Sequence, residues 1–527
     1  MPFDASFPEV SPQAVRRAFL LGEEIALLDV REEAPYALDH PLFAAQLSLS
    51  RIELDAYDRL PRRDVTIVLY DDGEGFAGRA AELLSGLGYS NISLLAGGLG
   101  GWRAAGLELF QDVNSASKAF GELVEARRHT PSISAEAALA AIQSDPTLVV
   151  LDARRFDEYR TMSIPRGVSV PGAELVLRAP AIAGDETARI IVNCAGRTRS
   201  IIGAQSLINA GLPNPVVALR NGAIGWQLAG QALEHGHEDR FPEVEGVGEA
   251  DARRRARDVA YRAGVKHIGA DDLTALQAGP RRTLYRFDVR TPEEHAQAHP
   301  EGFISAPGGQ LVQETDMSAP VRGARIVLFD PRGVRADMTG SWLAQMGWET
   351  YVVDGDLPLT EGPRRPVRPA LPRAETLAVT EVSRRVAAGE ASLVYVGSSK
   401  VYGRSHPAGA WFANRGRLAS ELAAIPQTGA WVFIADDADL AHLAATEAAR
   451  ITGEPVFVAE GGPAAWSAAG LAVEGGLARA ASPTDDVYRR PYEGADHDRA
   501  AMQAYLDWEY SLVAQLERDG AHGFYVI

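Results

Sequence analysis

Residues 189–200 read RIIVNCAGRTRS, and the folding of this stretch decides how the rest of the chain is read. Ile190, Ile191 and Val192 form a β-branched apolar run of the kind that fills a buried parallel strand. Cys194, the single cysteine of the chain, follows in a short loop of small and basic residues. Ile201, Ile202, Ala204, Leu207 and Ile208 then recur at helical spacing and stop at Gly211. The pattern predicts strand, loop and helix, with Cys194 at the C-terminal end of the strand, facing a helix N-terminus. Such an end presents backbone N–H groups that lack intrahelical partners.

This placement acts on the thiol. An unperturbed cysteine, with a pKa of about 8.5, is only ~3 % thiolate at neutral pH. Arg197 and Arg199 bring positive charge and the loop amides bring dipoles, so a lowered pKa is expected. A value of about 6.5 would make the thiolate the majority form at neutral pH. The alternative is a buried structural cysteine; two arginines so close to Cys194 argue against an apolar surrounding.

Composition sets the outer bounds. The chain has 527 residues, 46 % of them hydrophobic, enough for three to five domains. A net charge of −18, from 52 basic and 70 acidic side chains, argues against nucleic acid or an anionic membrane as partner. The opening MPFDASFPEVSP has neither a basic start nor an apolar run, and no stretch nears the ~20 apolar residues of a membrane span, so a cytoplasmic location is expected. One cysteine excludes intrachain disulfides and cysteine-rich metal sites. His235 and His237 have no cysteine or third histidine nearby, so no metal is expected.

The chain repeats itself. Asp29 and Asp71 end strand-like runs 42 residues apart, as do Asp152 and Cys194, and Asp288 and Asp330. A looser fourth copy runs from Gly397 to Asp436, 39 residues on. Helical segments stop at Gly88, Gly211, Gly347 and Gly453, each 17 residues past the second marker, and Trp102, Trp226 and Trp466 follow glycine-bearing turns in three copies. These offsets predict four related α/β domains, each a mostly parallel sheet with helices on both faces. The expected spans are 8–110, 130–233, 264–362 and 374–476, followed by a C-terminal helix over 495–520.

The segments between repeats carry expectations too. Residues 111–130 read as an amphipathic connecting helix capped by Ser115 or Ser117. The basic run ADARRRARDVAYRAG reads as a solvated face or a clamp on an acidic neighbour, and EGPRRPVRPALPR as a plain linker. The tail helix bears Met502, Tyr505, Leu506, Trp508, Leu512 and Leu516 on one face. That face is expected to dock on its own chain, with a homodimer contact as the second option.

The loop CAGRTRS resembles the active-site loop of the rhodanese sulfurtransferases, and DARRFDEY followed by SIPRGVSVPGAEL is similar to that family's flanking stretches, with Ser163 where histidine is usual. From Cys194 to Arg199 the loop has six residues, the sulfurtransferase length; related phosphatases and arsenate reductases have one more. The resemblance implies a Cys194 persulfide, loaded from a small-molecule donor such as thiosulfate and unloaded by a thiol or cyanide, with no other cofactor. Arg199 and Arg197 would neutralise the donor, and the loop residues Ala195, Gly196, Thr198 and Ser200 would bind it. Asp152, Arg154 and Glu158 read as a structural ion pair bracing the loop. Asp71, Asp330 and Asp436, placed at the cysteine position of the other copies, would occupy their own anion holes and leave those copies inactive. A non-catalytic scaffold or sulfur carrier is the alternative from another class, and a phosphatase or arsenate reductase is disfavoured by loop length.

Overall fold

Helical crossovers between successive strands force parallel pairing, and they do so four times in the chain. The computed structural model describes residues 7–279, 281–491, 493 and 498–527; positions 1–6 and 495–497, on which the readings of the N-terminus and of the start of the tail helix partly rest, lie outside them. Four sheets share one strand order, 1-5-4-2-3 in chain sequence within each unit. In the second unit this order is Ser132–Ile133, Val216–Leu219, Ile190–Asn193, Val149–Asp152 and Gly167–Ser169, all parallel. Alternate residues of its strands enter different cores: Leu151, Ile190 and Val192 on one face, Val150 and Ile191 on the other. Burial on both faces explains why the strand is continuously apolar.

Register corrects one assignment. Asp29 pairs with Tyr70, Asp152 with Asn193 and Asp288 with Phe329, so Asp71, Cys194 and Asp330 are equivalent. In the fourth unit Tyr395 pairs with Ile434, which puts Ala435, not Asp436, at the cysteine position. A second contact agrees. Cβ atoms added to Gly98, Gly222 and Gly462 would strike the carbonyl oxygens of Asp71, Cys194 and Ala435 at 2.6, 2.4 and 2.6 Å.

The units pair in a nested way. In the second unit, Gly172–Glu174 follows the third strand and packs on the equivalent segment of the third unit, Gly308–Gln313. Leu49–Arg51 of the first unit meets Arg415–Arg417 of the fourth in the same manner, tied by Arg415 to Glu53 at 2.7 and 2.8 Å. The first and third units also join, through Val321–Arg322 laid antiparallel on Ile25–Asp29.

The connecting helix, Ser115–Arg128, departs from expectation: every residue from Ser115 to Val124 is buried. It runs between the helix Thr198–Asn209 and the tail helix Arg499–Asp519, so it has no solvated face there. Asn114 occupies its N-cap, and the hydroxyls of Ser115 and Ser117 donate to the carbonyls of Gln111 and Asn114. The basic helix Val247–Arg262 caps a neighbour: Arg262 donates to the carbonyl of Asn209, at the C-terminal end of the helix Thr198–Asn209. The linker over 361–373 is pinned by Arg364 to Asp58 and by Arg368 to Asp437 and Asp439.

The close pairing of the second and third units can be tested at Gly308, where an added Cβ would lie 1.9 Å from Thr339 Oγ1 and 2.9 Å from Ala173 Cβ. Gly308→Ala should destabilise by about 1–3 kcal/mol through overpacking. Gly78→Ala, in a helix where an added Cβ meets nothing, should stabilise by about 0.5–1 kcal/mol. Opposite shifts in thermal midpoint are expected; equal shifts would sink the packing argument.

Candidate active site

Cys194 follows the strand Ile190–Asn193 directly, and the helix Thr198–Asn209 begins four residues on. The helix approaches the sheet closely because Gly203 leaves room: a Cβ there would meet Leu175 Cδ1 at 2.8 Å and Val192 Cγ1 at 2.9 Å. A second loop supports the first, with the amides of Ala223 and Ile224 donating to the carbonyls of Cys194 and Ala195 at 2.8 and 2.9 Å. Gly222 accepts φ +52° there, a conformation that L side chains resist.

The support behind the loop is ionic. Asp152 accepts from Arg154 Nε and Nη2 at 2.9 and 2.7 Å and from Asn193 Nδ2 at 3.1 Å, which fixes the residue before Cys194. Arg154 also donates to the Met162 carbonyl at 2.6 Å. The same fork recurs as Asp29–Arg31 and Asp288–Arg290, each arginine reaching a carbonyl eight residues on, and it is lost in the fourth unit, where Tyr395 takes the place of the aspartate.

The two loop arginines separate. Arg199 forms a bidentate pair with Glu158 at 2.7 and 2.8 Å, at the edge of the loop. Burial works against the Glu158 carboxylate, but the charges of Arg199 and Arg154 hold it down to about 2. Arg197 turns away from the thiol and is 3 % exposed. It donates to Glu122 at 2.7 and 2.8 Å and to Glu125, reaches Asn221 Oδ1 at 3.0 Å, and stacks on the Tyr510 ring at 3.8 Å. Its charge is matched by two carboxylates, which tie the loop to the connecting helix. Glu122, Glu125, Asn221 and Tyr510 are site residues that sequence reasoning missed, since nothing local marks them.

The thiol also departs from expectation. Cys194 is 2 % exposed, and burial pushes its pKa up; Arg199 and the amide and hydroxyl of Ser200 pull it down, and Glu509 adds to the rise. The covering comes from the tail helix: Met502, Tyr505 and Leu506 pack with Ala195 and Ile224 in one cluster. Sequence reasoning placed this helix on its own chain but not over the loop.

In the first and third units, carboxylates take the loop amides. Asp71 accepts from the amides of Gly73 and Ala77 at 2.9 and 2.8 Å. Asp330 accepts from the amides of Arg332 and Arg335 at 3.2 and 2.8 Å, and from the Arg335 side chain at 2.9 Å. Arg335 in turn pairs with Glu294, as Arg199 pairs with Glu158. Asp436, one position beyond, accepts from the Tyr395 hydroxyl instead.

A strand-end cysteine in a six-residue loop, with an Asp–Arg fork below it, places the chain among known proteins. The rhodanese-like domain family matches residues 12–105 and 134–229. The crystal structure of a thiosulfate sulfurtransferase from Pseudomonas aeruginosa is 53 % identical, with 99 % of this chain and 100 % of that chain covered and a TM-score of 0.97. A thiosulfate sulfurtransferase from Azotobacter vinelandii is 28 % identical over 217 residues, 37 % of this chain and 79 % of that protein. A probable 3-mercaptopyruvate sulfurtransferase from Pseudomonas aeruginosa is 40 % identical over 101 residues, 19 % of this chain and 34 % of that protein, so the match spans about a third of that relative. The chain belongs to the rhodanese-like sulfurtransferases and is an enzyme of that class.

Because Cys194 is the single cysteine, alkylation reads its titration alone. A raised pKa favours the neutral thiol, so at neutral pH Cys194 should react with iodoacetamide more slowly than a free thiol. The rate should still be climbing above the ordinary thiol range of about 8.5. A rate that levels off below neutrality would contradict the burial argument.

Proposed function

We propose that the second unit transfers sulfane sulfur from thiosulfate, or a related anionic donor, to a thiol or cyanide through a persulfide on Cys194. The observation that carries this reading is the loop itself: one cysteine at the end of a strand, facing the start of the helix Thr198–Asn209, with the Arg199 charge acting on the thiol. The thiol first gives its proton to solvent. The thiolate attacks the outer sulfur of thiosulfate, an S–S bond forms, and the bond to the sulfonate sulfur breaks with sulfite leaving on the electron pair. Loop amides and Arg199 hold the resulting persulfide anion. Cyanide or a thiolate then attacks the terminal sulfur and returns the Cys194 thiolate. No second cysteine exists to take the sulfur internally, so the acceptor comes from outside the chain.

The first, third and fourth units are read as rhodanese-like copies without a nucleophile. Asp71 and Asp330 satisfy their own loop amides, and Ala435 offers no heteroatom. Their role in this reading is to build the walls around the second unit. The site needs no cofactor beyond the covalent persulfide.

Incubation with thiosulfate should add one sulfur atom to the intact mass, and Cys194→Ala should abolish the gain; an unchanged wild-type mass sinks the reading. The arginines should fail differently. Arg199→Ala should lower kcat/KM for thiosulfate by about ten- to a hundred-fold, the value of one charge-assisted hydrogen bond. Arg197→Ala leaves the buried Glu122 without its partner and should act on stability first, by about 3–5 kcal/mol. The reverse ranking in kcat/KM would exchange the roles of the two arginines.

A further inference from the structure

The tail helix reaches the catalytic loop with two side chains, Tyr505 and Glu509. A Cβ on Gly196 would lie 3.1 Å from Glu509 Oε2 and 3.3 Å from the Tyr505 ring, so the loop passes close beneath them and a side chain there would crowd both. Glu509 is 1 % exposed. The Tyr505 hydroxyl donates to its Oε1 at 3.2 Å, and Oε2 has no hydrogen-bond partner among the described residues. A buried carboxyl oxygen is therefore aimed at the backbone of the Cys194 loop.

The cations around it are already paired with other carboxylates. From the connecting helix come Lys118 and Glu122, from the segment before it Asp112, from the catalytic loop Arg197 and Cys194, and from the tail helix itself Tyr505. Lys118 is committed to Asp112 at 2.9 Å, and Arg197 to Glu122 and Glu125. Two cations thus face three carboxylates before Glu509 is included. An ionised Glu509 would add an uncompensated buried anion beside a thiolate and its anionic donor.

We propose that Glu509 is a positioning residue of the sulfur-transfer site, holding the Cys194 loop under the tail helix as an uncharged acid, and that its ionisation hinders loading from anionic donors. This rests on the sulfurtransferase reading above. Burial, assisted by Glu122 and opposed by Lys118 and Arg197, pushes Glu509 up to about 8, which keeps the acid protonated at neutral pH. Above that range its charge both repels the donor and raises the Cys194 pKa.

The test compares Glu509→Gln, which cannot ionise, with wild type across pH. Sulfur loading from thiosulfate should agree within about threefold near pH 7, and the variant should lead by about tenfold near pH 9, as one ionised carboxyl one unit above its pKa requires. Alkylation of Cys194 should titrate at lower pH in Glu509→Gln. A side chain that merely packs would give a ratio independent of pH, and superimposable profiles in both measurements overturn the proposal. Tyr505→Phe guards against a variant that fails to fold. It removes a hydrogen bond that favours the ionised form, so it should lead wild type by about two- to threefold near pH 9. Were Glu509→Gln not to fold, an unshifted Tyr505→Phe profile would overturn the proposal. If thiosulfate adds no sulfur to wild type at any pH, the sulfurtransferase reading fails, and the alkylation profiles alone decide whether the charge of Glu509 reaches Cys194.

Discussion

A guanidinium buried between two carboxylates ties the Cys194 loop to the helix Ser115–Arg128. Arg197 leaves the loop and meets Glu122 and Glu125, and the cost of desolvating these groups is offset only while all of them stay in place. The consequence is mechanical. The loop cannot shift without uncovering a charge, the connecting helix cannot rotate, and the tail helix, whose Tyr510 stacks on the same guanidinium, is held against both. Elements distant in the chain thus meet on one side chain of the Cys194 loop.

Much of the second unit is legible in the sequence because its signals are local. A β-branched run, a lone cysteine, a basic loop and a helical period lie within two dozen residues, and each has one good structural solution. The 42-residue offsets carry the repeat of strand order for the same reason. Where local signals weaken, register slips. The fourth unit has lost the Asp–Arg fork, Tyr395 stands in for the aspartate, and a search for a strand-ending marker settles on Asp436, one residue late. The error is small in sequence and large in chemistry, since the equivalent residue is Ala435.

The acidity of the thiol and the orientation of Arg197 were not legible, for one physical reason. Both depend on what covers the loop, and the cover comes from the connecting helix, some seventy residues upstream, and from the tail helix, some three hundred downstream. Counting nearby cations treats the loop as solvated, so every arginine looks available to a substrate. In the folded chain one arginine is neutralised from outside and the thiol is desolvated, and desolvation opposes the very ionisation that the cations favour.

The nested pairing of units reaches the segment beside the Cys194 loop. Gly172 and Ala173, beside the catalytic loop, pack on Gly308 and Gly309 of the third unit, and Arg335 of that unit reaches Glu174 of the second at 3.0 Å. Arg335 is also the partner of Asp330, so the side chain that stands where the nucleophile would be helps set the salt bridge at the interface. A cysteine there would give up that bond and the two amide contacts together.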